Sequence, residues 1–246
     1  MELATQRIED EVGSRHWWFE GRRAILRSLL AGEGLPRGAC IYDVGCGTGQ
    51  NLEMLAAFGE VTGVDRSAEV GSLARARGWQ VVQGDVVDLP LPADSADVMV
   101  AMDVLEHLDD DGRAARELFR VLRPGGLLVV TVPAFRWLWG SQDDVSHHRR
   151  RYTRPELEAL LTGAGFVLHK VSYFNFFLFL PIWLGRRLVA LLGRRVLSEN
   201  TLTPPWLDRP LGAIFASEAC WLRRLEFPVG VSLLALGRKP AQPERS

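Results

Sequence analysis

Asp43 and three glycines, Gly45, Gly47 and Gly49, occupy alternate positions directly behind the apolar run of "ACIYDVGCGTGQN". Glycine at every second position leaves main-chain N–H groups with no Cβ between them and an approaching ligand. The residues from Gln50 onward have helical spacing, so the positive end of a helix dipole points at the same place. Roughly twenty residues further on, behind a second apolar run, comes Asp65, at the distance where an acid accepts both hydroxyls of a ribose. This is chemistry for a nucleoside-bearing cofactor; the competing reading is a tight turn packed for its own sake. The spacing is G-x-G-x-G, not the G-x-G-x-x-G of a dinucleotide fold.

Three other groups could act on a second substrate. His107 in "LEHL" is a candidate general base, or else it orients its loop. The stretch "FRWLWGSQDDVSHHRRRYT" (135–153) carries two further candidate catalytic residues, His148 and Tyr152, and the arginines Arg149, Arg150 and Arg151. Those arginines suit an anionic acceptor such as a phosphate or carboxylate, or they neutralise Asp143 and Asp144 or the protein's own acidic half. His147 and His148 are adjacent and so do not present one face, and no C-x-x-C pair exists, so no metal ligand set is expected. "HWWFEGRR" (16–23) is either a lid over the cofactor or a helix packed on the sheet.

Apolar runs that read as strands alternate with helical patterns. The strands are 39–45, 60–67, 79–86, the start of 96–108, 127–133, 166–173 and 229–239. Between them 50–59, 68–78, 112–122 and 153–165 have helical spacing. "RPGG" reads as a turn before the fifth strand, and Thr153 with Glu156 fits a capping box. Alternation of this kind predicts a doubly wound, mostly parallel sheet with helices on both faces.

The sequence resembles the class I S-adenosylmethionine-dependent methyltransferases over about residues 38–173 and 229–239. The resemblance rests on "DVGCGTG", on "GVD" closing the second strand, on Gly84–Asp85, on "DVLEHL" after the fourth strand and on "LRPGG". It implies a seven-stranded Rossmann-like sheet whose last strand is antiparallel, and S-adenosyl-L-methionine as cofactor. By position, Gly45, Gly47 and Gly49 would pass under the methionine and ribose, and Asp43 would hold the amino group. Asp65 would take the ribose hydroxyls and Arg66 would flank the adenine. Asp85 with the Val86 backbone would hold the adenine edge, and Asp103 would line the methionine end. A dehydrogenase is the weaker reading: no tyrosine has a lysine four residues on. A cofactor-binding protein without catalysis is the alternative of another class.

Domain organisation follows. Residues 1–37 read as a helical extension or lid, 38–173 with 229–239 as the cofactor-binding core, 174–228 as a helical insertion and 240–246 as a disordered tail. Net charge is −1, yet acids dominate residues 1–130 and bases the remainder. An acidic first half suits a cationic cofactor. The insertion begins "FNFFLFLPIWLGRRLVALLGRRVL", an apolar run too short to span a bilayer, followed by a basic amphipathic pattern with Arg186, Arg187, Arg194 and Arg195 on one side. It points to an anionic membrane surface, to a cap over the site, or to a homodimer contact. The expected activity is methyl transfer to a small or lipid-linked anionic acceptor, with no nucleic-acid partner. The acidic, polar N-terminus and the uneven cysteine set suggest a cytoplasmic protein, peripheral at the inner face of the membrane.

Overall fold

The computed structural model describes residues 16–191 and 204–241. In chain order the elements are α1 (Trp17–Leu30), β1 (Ala39–Val44), α2 (Leu52–Ala56), β2 (Gly59–Asp65), α3 (Ala68–Ala76), β3 (Val81–Gln83) and β4 (Ala96–Met102). There follow α4 (Asp111–Val121), β5 (Leu122–Pro133), α5 (Ser141–Val145), α6 (Arg154–Gly163), β6 (Val167–Phe174), α7 (Phe179–Leu191), α8 (Pro205–Leu222) and β7 (Ser232–Arg238).

The strands form one sheet in the order β3-β2-β1-β4-β5-β7-β6. β1 to β5 are parallel, and β7 lies antiparallel between β5 and β6. The strands reverse their direction of winding between β1 and β4, and a crevice opens there at the carboxyl ends of the strands. β4 and β5 lie in the middle of the sheet, and their runs "ADVMVAM" and "LLVVTVP" are almost entirely buried. A continuous apolar run is what a strand covered on both faces requires.

"RPGG" is not a separate turn. Its residues belong to β5, where Leu122 pairs with Ala96 before the register shifts and Val98 pairs with Leu127. Gly125, at φ 81°, absorbs the irregularity inside the strand. The capping box at α6 is present: Glu156 accepts from both the N–H and the hydroxyl of Thr153, at 2.7 and 2.8 Å.

Residues 16–23 begin α1, whose buried Trp17, Gly21, Ile25, Leu26 and Leu29 recur at helical spacing on one face. That face meets α8, with Trp17 and Trp18 against Phe215 at ring distances of 5.9 and 5.2 Å. The stretch 174–228 therefore contains helices, one of which packs on the N-terminal helix. Met1 to Arg15, Arg194 and Arg195, and the tail from Gln242 lie outside the described residues. Among the described residues no helix is long and apolar enough to cross a membrane.

Candidate active site

The loop after β1 holds the three glycines at φ 73°, 55° and 84°, the left-handed region that costs other residues about 1–2 kcal/mol. Gly45 and Cys46 donate to the Val64 carbonyl at 2.7 and 3.1 Å, which ties the loop to the end of β2. A Cβ on Gly45 would stand 2.5 Å from Val104 Cγ2, so the loops after β1 and β4 touch here. Gly47 differs: apart from its chain neighbours, no heavy atom lies within 4 Å of the place its Cβ would take. One side of the loop is thus bare main chain facing open space.

Asp65 closes β2 and is held by that loop. Its Oδ2 accepts from the Gly47 N–H at 2.9 Å and its Oδ1 from the Ser67 N–H at 2.8 Å. Each oxygen keeps a further lone pair. Ser67 in turn caps α3 through the Val70 N–H at 3.2 Å. Arg66 is exposed beside it, and Asp85 is exposed after β3 with Val86 buried behind. Asp85 Oδ1 accepts only from the Val87 N–H, at 3.2 Å, among the contacts described.

Asp43 is 1% exposed and its Oδ2 has no hydrogen-bond partner. Burial pushes its carboxyl up to about 7, against the pull of the Arg22 guanidinium and with the push of Asp65. Arg22, from α1, pairs with Asp103 Oδ2, while its own Nε is buried without a partner. Asp103 sits at φ 55° just beyond β4, fixed by its N–H to the Thr131 carbonyl at 2.9 Å and by the Thr131 hydroxyl at 3.2 Å. A non-glycine residue in that conformation persists only where its surroundings hold it.

A ligand with an amino group, a carboxylate and a ribose fits these groups. Asp43 offers a buried oxygen without a partner, Arg22 a donor without one, Gly47 an open approach and Asp65 free lone pairs. S-adenosylmethionine carries all three groups.

Beyond Asp103, a 3-10 turn (Leu105–His107) carries Glu106 and His107. Glu106 is fully buried, and neither carboxylate oxygen has a hydrogen-bond partner. Burial, with Asp103 adding to it, raises its carboxyl well above the usual range. Burial and neighbouring His148 push the His107 imidazole down to about 4, so its neutral form prevails at pH 7. The two imidazoles meet edge to face at 4.8 Å.

The arginine run does not face an acceptor. Arg151 is buried and grips both Asp143 oxygens at 2.7 and 2.9 Å. Arg150 pairs with Asp111 at 2.8 Å. Arg149 pairs with Asp109, and its N–H donates to the Glu106 carbonyl at 2.8 Å. Arg149 and Arg150 fasten the loop after β5 to the loop after β4, and Arg151 braces the segment after β5 internally through Asp143 and Ala134, so each arginine is engaged with the protein's own acids and carbonyls. Tyr152 is likewise structural: its buried hydroxyl donates to Asp111 Oδ2 at 2.8 Å, and burial with that bond drives its pKa up. A phenol so held is a poor base. His148 does reach the site; its Nδ1 lies 2.8 Å from Asp143 Oδ1 and its Nε2 points toward Glu106.

Sequence reasoning missed Arg22 and Glu106, and it offered Asp143 as a partner of the arginines but not of His148. "LEH" held a local signal for Glu106, a carboxylate beside a histidine; Arg22 gave none, because its partner Asp103 lies 81 residues along the chain.

The family described as "Methyltransferase domain" matches residues 42–130. A Mycobacterium tuberculosis relative, named a probable S-adenosylmethionine-dependent methyltransferase, is 33% identical over 172 residues, which are 67% of this chain and 61% of the relative. The malonyl-[acyl-carrier protein] O-methyltransferase of Enterobacter lignolyticus is 33% identical over 155 residues, 58% of this chain and 61% of that one. The chain thus spans less than two thirds of these relatives' length. A chain of the complex between the Haloferax volcanii Trm112 methyltransferase activator and a candidate methyltransferase superposes with TM-score 0.63 at 20% identity, covering 98% of this chain and 96% of that one. That superposition speaks for the fold. Taken with the glycine loop, Asp65 and the seven-stranded order, the sequence matches support a class I S-adenosylmethionine-dependent methyltransferase core in this chain.

Proposed function

We propose that the chain methylates a lipid-linked acceptor at the carboxyl edge of its sheet. The sulfonium of S-adenosylmethionine supplies an electrophilic methyl group and a neutral leaving group. Asp43 and Arg22 hold the amino and carboxylate ends of the methionine portion, Asp65 the ribose, and Asp85, Val86 and Arg66 surround the adenine. With the methyl so aligned, most of the remaining work is orienting the acceptor and keeping water out. His107, neutral at pH 7, lies beside Asp103 and can take a proton if the acceptor is a hydroxyl.

The observation that carries the acceptor class is an apolar surface next to this edge. Trp137, in the 3-10 turn after β5, is 49% exposed and meets Phe179 of α7 edge to face at 5.9 Å. Leu180, Leu184 and Leu188 continue along α7, each more than half exposed. Exposed apolar patches mark lipid or partner contact. An acceptor on a lipid would bring the protein to a membrane surface from the cytoplasmic side, as a peripheral protein. The second reading, a carboxylate that is not on a lipid, is favoured by the relative named malonyl-[acyl-carrier protein] O-methyltransferase.

Incubation with S-adenosylmethionine labelled in the methyl group, with organic and aqueous extracts of cells as acceptors, tests the proposal. Label is expected in the organic phase. Label confined to soluble acids favours the second reading, and no transfer to either fraction refutes both.

A further inference from the structure

We infer that Glu106, His107 and His148 form a binding site for one divalent transition-metal ion, such as Zn2+, Mn2+ or Co2+. Their ligating atoms all lie within 4.8 Å of one another, and His148 Nε2 stands 3.9 Å from Glu106 Oε1. Nitrogen and oxygen ligands about 2.0–2.2 Å from a tetrahedral ion stand roughly 3.5 Å apart, so modest side-chain rotation completes the set. Two imidazoles and a carboxylate are borderline-soft ligands that suit such ions rather than Mg2+ or Ca2+.

The second observation is Glu106 itself. It is fully buried, yet neither carboxylate oxygen has a hydrogen-bond partner. Buried carboxylates are otherwise hydrogen-bonded or paired, and a cation is the partner that would satisfy this one. The Arg151 guanidinium nearby is committed to Asp143, and that of Arg22 to Asp103.

The surroundings are built as an outer shell would be. Asp143 Oδ1 lies 2.8 Å from His148 Nδ1, which fixes the ring and leaves Nε2 for the ion. Asp143 is in turn held by Arg151 and by the Gly140 N–H at 2.7 Å. The two loops are clasped beside the ligands, because Arg149 donates its N–H to the Glu106 carbonyl and its Nε to the His107 carbonyl, at 2.8 and 3.0 Å. Both loops also turn through left-handed residues, Asp103 and His147. Three protein ligands leave a coordination position open, as in catalytic rather than structural sites. Asp103, at the methionine end of the cofactor site, just precedes the turn that carries Glu106 and His107, so the cluster stands beside that end of the site. An acceptor oxygen is the natural fourth ligand, and with the ion bound His107 serves as a ligand in place of the proton-accepting role given above. The site rests on the geometry of the cluster and not on the acceptor class proposed above.

The test is cobalt binding by the full chain after dialysis against EDTA. Visible absorption follows the Co2+ titration, elemental analysis gives the stoichiometry, and added Zn2+ should displace the cobalt. One ion per chain is expected, with a raised melting temperature. Glu106→Gln and His148→Asn should each weaken binding at least tenfold, while His147→Asn, on the same loop but outside the cluster, should not. If Glu106→Gln does not fold, His148→Asn alone decides. No one-per-chain cobalt in the native chain, unchanged affinity in either ligand variant, or an equal loss in His147→Asn would overturn the site.

Discussion

A buried acid without a partner raises the cost of the folded chain, and Asp43 is such a residue. Its carboxyl ionises at about 7 in the folded chain and near 4 when unfolded. Between those values the folded state binds the proton and the unfolded state does not, so stability falls as pH rises from about 4 to about 7 and then levels off. Asp43→Asn removes that slope and stabilises the cofactor-free protein at pH 8, by up to about 4 kcal/mol if the whole shift is realised. The same change removes the anion proposed to meet the cofactor's ammonium, and losing one partner of a buried pair costs about 2 kcal/mol or more, roughly thirtyfold in Kd. Urea denaturation across pH and calorimetry with S-adenosylmethionine measure the two effects. A gain in stability with unchanged affinity would mean that Asp43 is not a cofactor ligand. Gly47 shows the same economy at the backbone: its open face buries nothing of its own, and its N–H is held by Asp65.

Elements differ in how far the sequence announces them. The glycine loop, Asp65 and the capping box of α6 rest on contacts between residues near in sequence or on motifs of fixed spacing, and they were legible. "RPGG" was not, because the flanking Leu122 and Leu127 pair with β4 while Gly125 and Gly126 bond the Lys239 backbone, and these distant pairings override the local turn signal. The arginine run was ambiguous for the same reason. The partners of Arg149 and Arg150, namely Asp109, Asp111 and the carbonyls of Glu106 to Asp109, lie about forty residues earlier, and only the packing of two loops brings them together. The ion pairs of the run are also unequal in strength. Asp143 and Arg151 are buried, so Asp143→Asn leaves an uncompensated guanidinium and should cost about 3 kcal/mol or more. Arg149 and Asp109 are exposed, and Arg149→Ala should cost within about 1 kcal/mol. Chemical denaturation of both variants checks the ranking, and equal losses would contradict it.

At the scale of the molecule, the N-terminal helix and the insertion form one brace. Phe215 of α8 is fully buried against Trp17, Trp18 and Phe174. Gly21 leaves it room, since a Cβ there would stand 2.3 Å from Phe215 Cδ1. One position after Gly21 on α1, Arg22 reaches into the crevice and pairs with Asp103. The apolar joint between α1 and α8 thus sets where a charged side chain meets the cofactor end of the sheet, although no residue of the joint is proposed to touch the cofactor. Phe215→Ala should cost about 3–5 kcal/mol through the cavity that it leaves. Its more telling effect is local. Hydrogen exchange should rise in α1 and α8 while β4 and β5 keep their protection, because the sheet has its own buried core. Affinity for S-adenosylmethionine should fall, and adding Arg22→Met to Phe215→Ala should weaken it no further than Arg22→Met alone, because both changes act through one contact. Fully additive losses of affinity, or exchange rising equally across the sheet, would show that the brace and the cofactor site are independent.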